Sequence, residues 1–155
     1  MKAILITFLA LHSPAIAAEW RAVDGDSLIK GERGGFEIRA RLLCIDAPEL
    51  YQTGGRAAQR ALRRLIADKI QVKNNGIDRH QRDLVLLYNA RGDSINLMLI
   101  RQGHAWVSRR HAADCGLLQQ QLFAAEKKAK QEKRGLWQQK NPLPPWQWRK
   151  QNPRD

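Results

Sequence analysis

Cysteine is scarce in this chain: Cys44 and Cys115 are the only two in 155 residues, beside four histidines. So few soft ligands, in no ligand spacing, exclude a structural zinc centre. The cysteines are then either one disulfide, if the compartment is oxidising, or two separate thiols with Cys44 in an apolar core. Acidic residues are also in short supply, with Asp+Glu 15 against Lys+Arg 27, a formal net charge of +12 and a pI near 10.4. That balance attracts polyanions, nucleic acid before anionic membrane or cell-wall polymer. Long apolar runs are missing after the first residues, so the sequence predicts no transmembrane anchor. No internal repeat is visible.

What is present begins with Met1-Lys2, a minimal positive start, and the apolar stretch Ala3 to Leu11. Its length suits a secretory signal and is too short to span a bilayer. Ala15-Ile16-Ala17 is a small-x-small cleavage site, and Glu19-Trp20-Arg21 is an abrupt polar switch. A signal peptide over 1–17 is expected, with cleavage after Ala17 or the neighbouring Ala18, and hence a secreted or periplasmic protein.

The remainder reads as one domain over 18–138 and a Pro/Trp-rich tail over 139–155. Short strands are expected over Trp20 to Asp24 and Ser27 to Lys30. Phe36, Ile38 and Ala40 alternate with Glu37, Arg39 and Arg41, the period of a half-buried strand that runs on through Ile45. A helix from about Arg56 to Asp68 gathers Ala58, Ala61, Leu62 and Leu65 on one face. Ile70 to Lys73 is a strand, Asn74-Asn75-Gly76 a turn, 78–83 a charged loop and Leu84 to Tyr88 a buried strand. Ser94 is an N-cap for a short helix to Arg101. The longest helix runs from Leu117 to about Arg134, with Gly135 as its C-terminal cap. Pro142, Pro144 and Pro145 make the tail too proline-rich for helix or sheet, so an extended segment is expected. This order, without regular βαβ alternation, predicts an α+β fold with a small, mostly antiparallel sheet, closed as a five-stranded barrel.

The chemistry concentrates in Asp24-Gly25-Asp26-Ser27 and in Arg41-Leu42-Leu43-Cys44-Ile45-Asp46-Ala47-Pro48-Glu49. Asp26 and Asp46 each adjoin a strand end. Two carboxylates brought close repel unless a cation lies between them. Oxygen ligands without usable Cys or His favour calcium or magnesium. Glu49, three residues past Asp46, is a candidate base for a water attacking phosphorus. Arg41 and Arg82 carry guanidinium forks that match phosphoryl oxygens.

These stretches resemble the thermonuclease, or staphylococcal nuclease-like, family. The matching segments are Val23 to Ser27, Arg41 to Glu49, Asp78-Arg79-His80-Gln81-Arg82, Asn96 to Gly103, and Glu126 through Gly135-Leu136-Trp137. Together they cover about Trp20 to Trp137. The resemblance implies a five-stranded OB-fold barrel with three helices. It implies a calcium-dependent phosphodiesterase acting on DNA and RNA and leaving 3′-phosphates, active as a monomer with one ion. By position, Asp26 and Asp46 resemble the calcium carboxylates and the Ala47 carbonyl the third ligand. Glu49 resembles the general base, Arg41 and Arg82 the phosphate-gripping arginines, and Arg79 a basic substrate contact. Arg109 and His111 stand where tyrosines pack on the nucleotide in the best-known member. Ala47 replaces a threonine, Gln81 a glycine and His80 a tyrosine, and the 49–55 loop is short. By the same analogy the strand bearing Cys44 lies near the start of the last helix, which implies a Cys44–Cys115 bridge. The alternative to the enzyme is a catalytically silent nucleic-acid-binding module on the same barrel. The presence together of Asp26, Arg41, Asp46, Glu49 and Arg82 favours the enzyme.

Overall fold

The computed structural model describes residues 19–32, 34–111 and 113–153. The expected signal peptide lies outside them. The elements run β1 (Arg21–Ala22), β2 (Ser27–Gly31), β3 (Glu37–Leu42), β4 (Ile45–Asp46), α1 (Gly55–Leu65), β5 (Ile70–Ile77), β6 (Asp83–Asn89), α2 (Ile95–Arg101), β7 (Trp106–Val107), α3 (Leu118–Gln131) and α4 (Pro145–Gln151). Short 3-10 turns stand at Arg109–His111, Ala113–Cys115 and Gly135–Gln138.

Five strands pair in the order β1-β2-β3-β6-β5, with the β3–β6 pair parallel and the rest antiparallel. A separate two-stranded ladder joins β4 to β7, with Asp46 opposite Trp106. The mixed α+β class and the five-stranded sheet are as expected. The closure is not: among the described residues β1 and β5 remain unpaired edges, so the sheet is open. The reason lies at β1, which is two residues long and is covered by a helix instead of a strand. Gln59 of α1 donates its Nε2–H to the Val23 carbonyl at 2.8 Å and reaches the Ala22 carbonyl at 3.4 Å. The described α-helices number four, not three.

The extra helix corrects the reading of the tail. Pro145 occupies the first helical position after the extended Pro144. A proline there gives up an N–H that has no helical partner anyway, and its fixed φ suits the helix. The same residues that argue against a helix interior therefore begin one. Two turn assignments also move. Asn74-Asn75-Gly76 lies within β5 as a register shift between Asn74 and Ile77, and the Asn74 side chain accepts from the Gly76 N–H at 2.8 Å. The chain reverses only at 78–82, where Asp78 Oδ1 accepts from the N–H groups of His80 and Arg82. Helix α3 stops at Gln131, with Lys133 rather than Gly135 in the closing left-handed position at φ 51°. The Arg134 N–H bonds Ala129 and the Lys133 N–H bonds Lys130, the paired closure that satisfies the last carbonyls.

Leu28, Leu42, Val85 and Leu87 of the sheet are buried with Leu62 of α1, Ile95, Leu99 and Ile100 of α2, and Leu122 of α3. Full burial of such side chains stabilises by roughly 1.5–3 kcal/mol each. One polar group is buried among them, Asn96. It donates to the carbonyls of Leu43 and Val85 and accepts from the Leu87 N–H at 3.0 Å. It thereby ties α2 to the end of β3 and to the middle of β6. The fold's task for the site is to fix the end of β3, the start of β2 and the end of β4 in one place.

Candidate active site

The site starts from a glycine. Gly25 lies where a Cβ would meet the Cβ atoms of Ala58 at 2.5 Å and of Ala47 at 2.7 Å. The absence of a side chain there lets α1 and the 46–48 segment close on the bend before β2. Asp24 fixes the same bend by accepting from the Asp26 N–H at 2.9 Å. Asp26 consequently points inward. It is 2% exposed; its Oδ2 takes the Ala47 N–H at 2.6 Å and its Oδ1 takes Arg41 Nη1 at 2.7 Å and the Ser27 hydroxyl at 3.2 Å.

Arg41 comes from β3, opposite Ser27 in the ladder, so the pairing register places it beside Asp26. Its other terminal nitrogen, Nη2, reaches Asp46 Oδ1 at 2.8 Å. One fork thus holds two carboxylates. Asp46 ends β4 and is 6% exposed. Burial pushes the Asp26 carboxyl up to about 7, with Asp24 and Asp46 adding to it and Arg41 and the Ala47 N–H opposing. Burial works against the charge on Arg41, but Asp26 and Asp46 outweigh it and hold the guanidinium above its ordinary value. Removing any one of these charges leaves others buried without compensation.

Glu49 follows after Pro48. Its backbone N–H bonds Gln52 Oε1 at 3.1 Å, and Gln52 Nε2 reaches the Leu143 carbonyl of the tail at 2.6 Å. The tail then supplies a residue that no motif marked. Arg149 of α4 donates through Nη2 to Asp46 Oδ2 at 2.8 Å, and through Nη1 to Asp46 Oδ1 at 3.2 Å and Glu49 Oε1 at 2.9 Å. Burial disfavours its charge, but the hydrogen bonds of Asp46 and Glu49 prevail and hold it above the usual arginine value. Beside it, a groove of about 440 Å³ is lined by Asp24, Glu49, Tyr51, Trp148 and Asn152.

The structure therefore brings together Asp26, Arg41, Asp46, Ala47 and Glu49, and adds Arg149. The other three predicted residues stand elsewhere in their contacts. Arg82 turns its fork to Asp78, with Nε at 2.9 Å and Nη2 at 2.7 Å from Oδ2. Burial raises the Asp78 carboxyl, but bonds from the Arg82 side chain, the Arg82 N–H and the His80 N–H together hold it below its ordinary value. Arg79 is exposed, with Nε 3.1 Å from His80 Nε2. Arg109 lies over the Phe123 ring at 5.6 Å. The His111 side chain lies outside the described residues. Cys44 and Cys115 are joined by a disulfide with Cα atoms 5.9 Å apart. Cys44 itself takes φ 73° in the turn between β3 and β4.

The donors available to a metal are oxygens. Among the described residues no group of three or more His, Cys, Asp or Glu side chains could hold an ion. The buried carboxylates of Asp26 and Asp46 offer oxygen donors of the kind that suit a hard cation such as calcium.

The chain is similar to known proteins over most of its length. The family model described as staphylococcal nuclease homologue matches residues 39–139. A Haemophilus influenzae protein named uncharacterized endonuclease is 36% identical over 129 residues, 83% of this chain and 69% of that protein. An Escherichia coli O157:H7 protein of the same name is also 36% identical, over 83% of this chain and 81% of its own. The micrococcal nuclease of Shigella flexneri is 32% identical over 142 residues, 84% of this chain and 78% of the relative. The matched span contains Arg41, Asp46, Glu49 and Arg82, and by it the chain belongs to the staphylococcal nuclease homologue family.

Proposed function

We propose that the protein is a calcium-dependent nuclease, exported from the cytosol, that hydrolyses phosphodiester bonds of DNA and RNA and leaves 3′-phosphate ends. The observation that carries this reading is the placement of Asp26 and Asp46 on one Arg41 fork with Glu49 adjoining. Supporting it are the family, the net charge of +12, which draws a polyanion to the surface, and the Cys44–Cys115 disulfide, which suits an oxidising compartment.

Asp26, Asp46 and the Ala47 carbonyl would hold the calcium. When bound, it supplies Lewis-acid polarisation of a phosphoryl oxygen and offsets the developing charge. The chain's own groups do the rest. Glu49 takes the proton of the water that attacks phosphorus. Arg41, fixed by its strand and by Asp26, presents a guanidinium that stays charged at any working pH to the phosphoryl oxygens as negative charge gathers on them. Arg82 supplies a second fork from the 78–82 turn once a phosphate displaces Asp78. Arg79 and Arg109 add positive charge for the flanking backbone. The expected signal peptide directs export and is removed by cleavage near Ala17.

The test is incubation of the purified protein with single-stranded DNA in calcium or in excess chelator. Cleavage with calcium alone, giving ends that a 3′-phosphatase makes extendable by a polymerase, is the expected result. Binding without cleavage under any divalent metal would assign the chain to the silent binding module. Cleavage that survives the chelator would remove the Asp26–Asp46 cation site.

A further inference from the structure

We infer that α4 is an autoinhibitory latch: Arg149 closes the carboxylate cluster, and calcium binding and Arg149 seating exclude one another. The inference rests on the calcium-site reading above and adds a residue and a conformational step to it.

The argument begins with Asp46. Arg149 takes both of its oxygens, and Arg41 shares Oδ1. The same guanidinium holds Glu49 Oε1. With Arg149 seated, guanidinium N–H groups fill both Asp46 oxygens, and a divalent cation would meet that positive charge at the same atoms. With Arg149 withdrawn, Asp46 keeps its bond to Arg41 and can turn its other oxygen to a cation. Arg149 thus does for Asp46 what a metal would do, at the same oxygens. It also occupies a Glu49 oxygen that the proposed base needs for its proton.

The helix is built to let go at one end. Its first turn is anchored: Pro145 is buried, Trp146 meets the edge of Trp106 at 6.3 Å, and the preceding Leu143 carbonyl receives Gln52. Beyond that, Gln147, Lys150 and Gln151 are exposed. The Arg149 side chain is 38% exposed, against 20% for Arg41. A seven-residue helix fastened at its start, by the half-buried Trp148 and by one fork near its end can swing on the proline segment without disturbing the core, because only Pro145 of the helix is buried.

Two states with different cation affinity give a measurable linkage. Seating lowers the apparent calcium affinity in proportion to the fraction of molecules that are open, and saturating calcium abolishes seating. The experiment is calcium titration by calorimetry on the full chain, comparing wild type with Arg149→Gln and with Lys150→Gln. The last removes an equal charge from the same helix without touching the cluster. Arg149→Gln is expected to bind calcium at least about tenfold tighter, the factor for a latch closed in about nine molecules of ten. Lys150→Gln is expected to bind like wild type. In wild type, calcium should also speed amide hydrogen exchange across 147–151 while leaving 95–101 protected. Equal affinity in wild type and Arg149→Gln would overturn the latch and leave the calcium site standing. Equal tightening by both substitutions would reduce the effect to general charge and overturn it too. An absence of calcium binding in all three proteins would overturn the calcium site and the latch together.

Discussion

Arg41 and Arg149 hold the same carboxylate from two different kinds of structure. Arg41 stands in a ladder of β2 and β3, with Asp26 buried against it and Gly25 allowing α1 to close behind. Arg149 stands near the end of a short terminal helix whose only buried residue is Pro145. Both forks make bonds of 2.8 Å to Asp46. Distance therefore does not distinguish them; what lies behind each fork does. A side chain backed by a sheet is part of the scaffold, whereas one backed by a half-exposed helix is a conformation the molecule can leave.

The sharpest way to test that contrast is to disturb the groups that meet both forks. Glu49→Gln keeps the shape of the loop and an oxygen for Arg149, yet cannot accept a proton. Its turnover of single-stranded DNA should fall by about a hundred- to ten-thousand-fold, with DNA binding retained in a gel-shift assay. Retained turnover would remove Glu49 as the base. Arg41→Met leaves Asp26 and Asp46 buried without their shared cation and should cost about 3–5 kcal/mol in chemical denaturation. Arg149→Gln removes a fork that is 38% exposed and leaves Asp46 its bond to Arg41, so it should cost less than Arg41→Met in the same measurement. Similar losses from the two would erase the distinction between scaffold and latch.

Much of the scaffold was legible in the chain. Asp26, Arg41, Asp46 and Glu49 lie in two short motifs, and the alternation of Glu37 to Arg41 names the strand that carries the arginine, although Phe36 stands outside it and is exposed. Ser94 caps α2 through the Leu97 N–H at 3.2 Å, as its position before an apolar run predicts. The tail was not legible. Its prolines stop a helix or start one depending on their place, and only the N1 position of Pro145 decides between them. Arg149 is one of many arginines, and its partners lie 100 and 103 residues away in sequence. The open sheet was hidden because Gln59, a side chain on a helix, does at β1 what a strand would do in a closed barrel. The bulge at Asn74-Asn75-Gly76 was hidden for a related reason: a turn motif also serves where a strand needs an irregular register.

Two further variants probe the rest of the scaffold. Cys44 and Cys115 lie 71 residues apart in sequence. Replacing both by serine should cost about 2–4 kcal/mol, read as an earlier urea midpoint at unchanged slope. An unchanged midpoint would show that the bridge contributes no stability. The smallest effect concerns the turn that holds Arg82. The Asp78 carboxyl is held below its ordinary value of 3.8, so its contribution to stability is present above that pH and is lost as pH falls through the folded value. Asp78→Asn should therefore be less stable than wild type at neutral pH, and the two melting curves should converge in acid below about pH 4. A gap that stays constant well below that pH would mean that shape rather than charge makes the turn. The same variant frees the Arg82 fork, which separates its placement from its chemistry.

The disulfide has one more consequence. Asp46, Glu49, α1 and the β5–β6 hairpin lie within the covalent ring that it closes, while Asp26 and Arg41 precede the ring and Arg149 follows it. The exposed 79–81 turn is the natural place for a protease to cut. A cut there opens the ring into a branched chain and releases no fragment, since Cys44 and Cys115 still join the two halves. The nicked molecule keeps all its site residues on one covalent body, and a single cleavage at this turn is damage that it can outlive.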